Sequence, residues 1–499
     1  MPDYPIGALP TASPHCVLCS LPSMKDVIGY EEKTPETMAA IHAGYPRFVH
    51  HAFLHKVEEE LIRLKGLKNK KLFLVQSEKV ARAMAAFLGT DEAQIEDEQG
   101  WVSVSLPDEE VLVQPAKAFL QHTGGKLSSR QAEDWLVDQG HLKKAYTEKT
   151  IQENNASEES ICQTMADVFG TVSLKDVHLV QSGMNAFYAA FNAINRVQAD
   201  KGKKRWLCLG WLYVDTTQIL QKLSPPEVPP IVLYDVFDWE QIEAAIVTHA
   251  DSLAGIVSEF PTNPLIQACD LERLYALARR YDIALVVDPT VATPFNVSVL
   301  PHADIVVNSL TKYAANEADV MAGITVLNPQ SPYYSALSEA IIEYEQPLYW
   351  RDAARLAWEI QGYSSTLETM NATTMGLVNA LESHPKVRKV FWAYEEQSSA
   401  FYQNLAGKDN APGCMISILL DKPLASFYDR CQLMKGTSFG VYFTLLCPFM
   451  YLAHYEELRS RKGLLKIRNA GLDPELIRIS VGTEDLEALK AIFYDALDG

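Results

Sequence analysis

The stretch AGIVSEFPTNPLIQACDLERLYALARRYDIALVVDPTVATPFNVSVLPHADIVVNSLTK, residues 254–312, decides the fold. Its first seven residues are a short apolar run rich in Ile and Val. Leu271, Leu274, Ala278 and Tyr281 then fall on one face of a 3.6-residue period, and IALVVD (283–288) is a second apolar run. Strand, amphipathic helix and strand in that order make a βαβ unit, because a crossover helix returns the chain to the start of a parallel neighbour. DIVVNSL (304–310) follows, and upstream VHLVQ (177–181) and RWLCLG (205–210) have the same form. Runs apolar on both faces belong to a parallel sheet covered by helices on both sides, so the predicted class is α/β.

Working outward, the grammar changes twice. Beyond about Arg355 come long helical segments, then strands at MISILL (415–420) and LIRISVG (476–482), which predict a smaller C-terminal α+β domain. On the other side, the first 50 residues are Pro-rich and read as an extended arm, lying on a surface or a partner subunit. Residues 53–65 have a helical pattern. Residues 78–140 are acidic and irregular apart from stretches such as 80–88, and read as an insertion that is either a surface decoration or a lid or subunit contact. The predicted division is therefore 1–72 for arm and helix, 73–355 for the α/β domain with its insertion, and 356–499 for the C-terminal domain.

In open α/β sheets the ligand crevice lies beyond the carboxyl ends of the strands. Those ends carry Ser182-Gly183-Met184 opening a helix, Trp211-Leu212-Tyr213, Glu259 to Pro264, Asp288, and Ser309-Leu310-Thr311-Lys312. Serine and glycine at a helix N-terminus suit a phosphate, although an ordinary N-cap has the same sequence. An acid ending one buried strand and, 24 residues on, a lysine between hydroxyls ending the next form the pattern of a pyridoxal-phosphate (PLP) site. The carboxylate pairs with the protonated pyridine nitrogen, the lysine bonds the aldehyde carbon, and the hydroxyls hold the phosphate.

Composition narrows the classes. The 499 residues are 48% hydrophobic, which excludes disorder as the main state, and a formal net charge of −19 argues against nucleic acid as a general partner. No basic n-region and apolar core open the chain, and no apolar run reaches membrane-spanning length, so a cytoplasmic, non-membrane protein is expected. Eight scattered cysteines fit a reducing compartment. Cys16 and Cys19 form a lone C-x-x-C without a second pair, and His50, His51 and His55 cluster near a helix start; neither group reads as a metal site.

The segments SGMNA, EFPTNPL, LVVDPT and NSLTKYAANEADVMAG, in this order and spacing, resemble the cystathionine γ-synthase family of Cys/Met-metabolism PLP enzymes. SLPSMKDVIGYEE with AGYPRF, and AKAFLQHTGGKLSSRQAE, are similar to its longer fungal-type members. The resemblance implies the fold-type I, aspartate-aminotransferase-like architecture. It also implies Lys312 as the cofactor-bonding lysine, Asp288 at the pyridine nitrogen, and Tyr213 stacked on the ring. Phosphate contacts are implied from Gly183, Met184, Ser309 and Thr311, with Tyr45 and Arg47 reaching the phosphate of a neighbouring subunit, hence a homodimer or homotetramer. Asn263 is implied near the phenolic oxygen, and Ser438 and Arg478 at the substrate carboxylate, where a planar guanidinium meets the acid bidentately. Tyr45 and Tyr213 are implied to keep an incoming thiol deprotonated. Departures from the family pattern are Tyr-Val-Asp-Thr at 213–216 for Tyr-Gly-Gly-Thr, Val49-His50-His51 for Asn-Pro-Thr, and Pro289 for Asn.

The implied activity is PLP-dependent γ-replacement on an O-acylhomoserine with cysteine, forming cystathionine. O-acylhomoserine sulfhydrylase, cystathionine or methionine γ-lyase, and a PLP-fold binding or regulatory protein without catalysis stay open beside it. A nucleotide-binding dehydrogenase is excluded, since no G-x-G-x-x-G opens the helix after the first strand.

Overall fold

The computed structural model describes residues 4–45, 49–151, 156–170, 172–408 and 410–499. Three sheets organise them. The first is antiparallel and small, with β1 (Lys70–Val75), β2 (Gln94–Asp97) and β3 (Val102–Pro107) in the order β1-β3-β2. The central sheet contains β4 (Val177–Val180), β5 (Arg205–Leu209), β6 (Ile231–Leu233), β7 (Leu253–Glu259), β8 (Ala284–Asp288), β9 (Ile305–Ser309) and β10 (Gly323–Leu327). Its order is β4-β10-β9-β8-β7-β5-β6. The third comprises β11 (Val387–Phe391), β12 (Met415–Leu420), β13 (Met434–Lys435), β14 (Leu445–Pro448) and β15 (Ile477–Ser480), in the order β11-β12-β15-β14-β13.

The βαβ reading holds. β7 and β8 pair in parallel, with Glu259 beside Asp288, and β8 pairs in parallel with β9. All seven residues of β7 are buried. Side chains alternate between two cores: Leu207, Ile256, Leu285, Val287 and Val306 enter one, while Trp206, Val257, Val286, Ile305 and Val307 enter the other. That alternation puts helices on both faces. The crossover helix, Leu271–Arg280, starts where the Asp270 side chain accepts from the Arg273 N–H at 3.0 Å, and buries Leu271, Leu274 and Ala278. Only β10 runs against the sheet, antiparallel to β4 and β9.

Two expectations about the N-terminal part are corrected. Residues read as an extended arm are instead built into the C-terminal domain: Leu21, Met24, Val27, Tyr30 and Ile41 share one core with Ile416, Phe427, Leu446 and Ile479. A helix at Met24–Glu31, with a capping box from Ser23 and Asp26, supplies much of that contact, and Met24 N–H donates to Asp429 at 2.7 Å. Its period was hidden because the helix is only two turns long. The segment read as an irregular insertion begins earlier, at β1, and is a folded unit with its own core of Phe73, Val75, Met84, Val104, Leu106, Val113 and Phe119. Its strands are short and interrupted by the helix Glu78–Leu88 and an acidic turn, so no window shows a sustained alternation.

Cys16 and Cys19 are buried free thiols, pushed up by burial to about 11 and about 12. His50 faces Glu58 at 3.1 Å and His55 faces Glu59 at 3.9 Å. His51 is the N-cap of the helix Ala52–Lys65: Nδ1 accepts from the Phe53 N–H at 3.1 Å, and Nε2 lies 2.9 Å from the Pro14 carbonyl. Among the described residues, no group of His, Cys, Asp and Glu is arranged to hold a metal ion, and no helix is long and apolar enough to cross a membrane.

Burial lowers His51 to about 4, against 6.5 for a free histidine. Between those values the unfolded chain binds a proton there and the native chain does not, so stability rises with pH across this window. Thermal midpoints should therefore fall as pH drops from about 6.5 to about 4, and His51→Asn, which keeps a capping acceptor without titrating, should flatten that slope.

Candidate functional site

The carboxyl ends of β7, β8 and β9 and the N-terminus of the helix Gly183–Gln198 meet in one cavity. It is lined by Tyr45, Ser182, Gly183, Met184, Tyr213, Glu259, Asn263, Asp288, Ser309, Thr311, Lys312 and Phe439, among others. A connected lobe holds Ser438 and Arg478. Every site residue inferred from the sequence therefore gathers here except Arg47, which lies outside the described residues.

Asp288 is half-buried where it borders the cavity, and burial raises its carboxyl to about 6. One oxygen is held by a single residue: Oδ1 accepts from the Thr290 N–H at 2.8 Å and the Thr290 hydroxyl at 2.5 Å. Thr290 Oγ1 accepts in turn from the Ser309 N–H at 2.9 Å and Asn308 Nδ2 at 3.0 Å. Thr290 thus provides the neighbouring side-chain contact at the segment where Pro289 interrupts the family pattern. Glu259 stands beside Asp288 in register and was not singled out as a site residue. Burial and the adjacent Asp288 push its carboxyl far above the usual carboxylate range. Of these two acids side by side, Glu259 is the one pushed further toward its neutral form. Its oxygen accepts from the Tyr213 N–H, which fixes the start of the helix Val214–Leu223.

Lys312 Nζ donates to Ser438 Oγ at 3.0 Å and to the Tyr45 hydroxyl at 3.3 Å. The Tyr45 and Tyr213 hydroxyls are 3.3 Å apart. Tyr45 therefore stands beside Lys312 and Tyr213 within this chain. Arg478 donates to Asn263 Oδ1 at 3.1 Å and to the Ser438 carbonyl at 2.6 Å, with the Phe439 and Phe449 rings at 5.1 and 5.2 Å. Asn263 is thereby engaged with the guanidinium.

At the other end, Ser182 Oγ accepts from the Asn185 N–H at 3.1 Å and caps the helix whose first residues are Gly183 and Met184. A Cβ on Gly183 would come within 2.7 Å of Ser309 Cβ, so only glycine lets the backbone N–H groups and the Ser309 hydroxyl converge. Thr311 borders the cavity, but its hydroxyl donates to the Ala322 carbonyl at 3.2 Å and accepts from the Ala322 N–H at 3.0 Å. Its hydroxyl is thus anchored to the Ala322 backbone at the edge of the cavity.

Residues 143–498 match the Cys/Met metabolism PLP-dependent enzyme family. The chain belongs to that family. It is 36% identical over 98% of its length, and 97% of the relative's, to the L-2-amino-4-chloropent-4-enoate dechlorinase/desaturase of Streptantibioticus cattleyicolor. It is 34% identical to the cystathionine gamma-synthase of Neurospora crassa over 67% of this chain and 54% of that one. Its fold is similar to that of the cystathionine gamma synthase of Xanthomonas oryzae pv. oryzae, with a TM-score of 0.59 and 18% identity over 69% of this chain and 86% of that one. The architecture is fold type I, and PLP is the family's cofactor.

The residues present fit that cofactor. The helix N-terminus, the Gly183 close approach and Ser309 form an anion cradle. Asp288 is an ionisable acid on the same cavity, and Lys312 and Tyr213 border it as well. Sequence reading missed Glu259 as well as Gln121, Gly124 and Lys126, which come from the folded insertion and form a wall of this cavity.

Because Glu259 is neutral in the native protein, Glu259→Gln should keep activity within about threefold, since the amide retains the acceptor for Tyr213. Asp288→Asn removes the charge itself and should lower kcat about 10²-fold or more. Steady-state kinetics of the two variants, with circular dichroism as the check on folding, measures the contrast.

Proposed function

We propose that this PLP-dependent enzyme removes a small leaving group from the γ-carbon of a short L-α-amino acid. The observation that carries the reading is the character of the substrate lobe. Besides Arg478 and the polar Tyr45, Tyr213, Asn263, Lys312, Thr437 and Ser438, it is walled by Val214, Phe439, Cys447, Phe449, Leu452 and Ala453. An apolar wall of this kind favours a compact, weakly hydrated side chain over a charged ester. The similarity over nearly full length to a dechlorinase/desaturase supports it, because in 2-amino-4-chloropent-4-enoate the chlorine sits on the carbon two beyond Cα, which is Cγ.

The chain's residues divide the work. Arg478, held by Asn263 and the Ser438 carbonyl, binds the substrate carboxylate and sets its orientation. Lys312, braced by Ser438 and Tyr45, is placed to take the Cα proton as general base and to return it. When bound, PLP supplies the electron sink that makes the Cα–H and then the Cβ–H bonds acidic. Asp288 keeps a proton at the ring nitrogen. Loss of a Cβ proton breaks the Cγ–leaving-group bond; proton and halide leave as HCl, and the carbon chain gains one unsaturation. The aromatic wall excludes water from the reacting carbons.

A second reading is γ-replacement on an O-acylhomoserine by cysteine. The Tyr45 and Tyr213 phenols beside Lys312 favour it, since they can hold a thiol proton, as does the Neurospora crassa relative.

Purified protein should be yellow, and Lys312→Ala should lose the borohydride-reducible cofactor adduct; a colourless protein that binds no PLP refutes both readings. Incubation with L-2-amino-4-chloropent-4-enoate should release chloride without any thiol. If chloride is not released, while O-acylhomoserine plus cysteine gives cystathionine by mass spectrometry, the second reading replaces the first.

A further inference from the structure

The folded insertion ends at the cofactor cavity in the sequence Gly124-Gly125-Lys126. Gly124, with φ +69°, terminates the helix Glu110–Thr123, and a Cβ there would lie 2.2 Å from Ser182 Oγ and 3.1 Å from the Asn185 N–H. The turn is therefore pressed against the same helix N-terminus that forms the anion cradle. Its backbone is pinned to the edge of the small sheet. Gln76 N–H donates to the Gly125 carbonyl at 3.2 Å, Leu127 N–H donates to Leu74 at 3.1 Å, and Lys126 bridges to Val75.

Lys126 borders the cavity together with Ser182, Gly183 and Ser309. It makes no hydrogen bond and no ion pair among the described residues, and burial lowers its ammonium below the ordinary lysine range. Two acids attract it at longer range, Glu58 and Asp215, while Lys117 repels it. Both acids already have partners. Glu58 faces His50 at 3.1 Å and Lys71 at 3.7 Å, and Asp215 accepts from Gln121 at 3.1 Å and lies 2.8 Å from His122 Nδ1. Lys126 also borders a second cavity with Glu58, Lys71 and Lys117, but a half-buried cation on the cavity of the anion cradle, with the nearby carboxylates engaged elsewhere, is complete only when an anion arrives from outside.

We infer that Lys126 is a phosphate-binding residue of the cofactor site, supplied by the insertion from the same chain. The substrate carboxylate is not its target. Lys126 borders the cofactor lobe and Arg478 the substrate lobe, so the two cations are assigned to two different anions. The assignment rests on the family's cofactor and is independent of the choice of substrate.

The test is titration of the full-length apoenzyme with PLP and with pyridoxal, which lacks the phosphate, followed by absorbance. Lys126→Met should weaken PLP binding about tenfold or more and leave pyridoxal within about twofold, while Lys126→Arg should stay within about threefold of wild type for both. Unchanged PLP affinity in Lys126→Met, or equal weakening of both ligands, overturns the assignment. If the methionine variant does not fold, the arginine variant decides: keeping the wild-type preference for PLP over pyridoxal supports the assignment, and losing it overturns it. Wild type that binds neither ligand would instead refute the cofactor reading itself.

Discussion

Ser438 is the junction on which the site depends. Its hydroxyl accepts from Lys312 at the end of the central sheet, and its carbonyl accepts from Arg478 on β15. One residue thus fixes the distance between the amine that moves protons and the guanidinium that orients the substrate. Its backbone sits at φ +79°, a region that non-glycine residues rarely occupy, so the neighbouring fold must hold it there. The neighbours do so: Gly440 N–H donates to Ser480 Oγ at 2.8 Å, and a Cβ on Gly440 would approach the Lys312 backbone carbon to 3.0 Å. The loop is wedged between the two domains, which ties its conformation to their relative position.

The second constraint is electrostatic. Parallel strands β7 and β8 end level with each other, and the register that aligns Glu259 with Asp288 places two carboxyls in an enclosed space. Burial alone would neutralise both. The Thr290 donors and Lys312 favour the ionised form of Asp288, whereas at Glu259 burial and the neighbouring acid outweigh the Tyr213 and Asn263 N–H donors and Arg478, pushing it toward the neutral form. A neutral Glu259 is then free to position Tyr213 through its backbone N–H. The pair works because the two environments differ, although the two strands end alike.

This also separates what was legible in the sequence from what was not. Asp288 and Lys312 could be read from residues alone, since each follows a buried apolar run and strand ends face the crevice. Ser438 and Arg478 lie in a domain whose strands are short, and their roles came only through resemblance to a family. Glu259 stood in plain view at a strand end, but its function depends on register, and register between β7 and β8 is a tertiary fact. Thr311 borders the cavity as the motif places it, and its hydrogen bonds with the Ala322 backbone were set by packing and could not be read from the motif. Lys126 was illegible because it comes from a unit read as irregular, 57 residues before Gly183 in the chain.

The insertion therefore has a physical reason to be folded. A loop could carry a lysine to the cradle, but ordering it would cost conformational entropy each time the anion bound. A sheet with its own apolar core holds the turn at 124–126 in place beforehand, and a buried ion network fastens the unit to the main domain. In that network Arg130 reaches Glu148 at 2.7 Å and Asp352 at 2.8 Å, and Arg351 reaches Glu133 at 2.9 Å. In a chain with net charge −19, the buried arginines Arg130, Arg351 and Arg355 are consumed by such networks. The positive groups left for ligands must be placed individually: Arg478 by the C-terminal sheet, Lys312 by β9, and Lys126 by a domain-sized scaffold that the shorter strand-end pattern did not reveal.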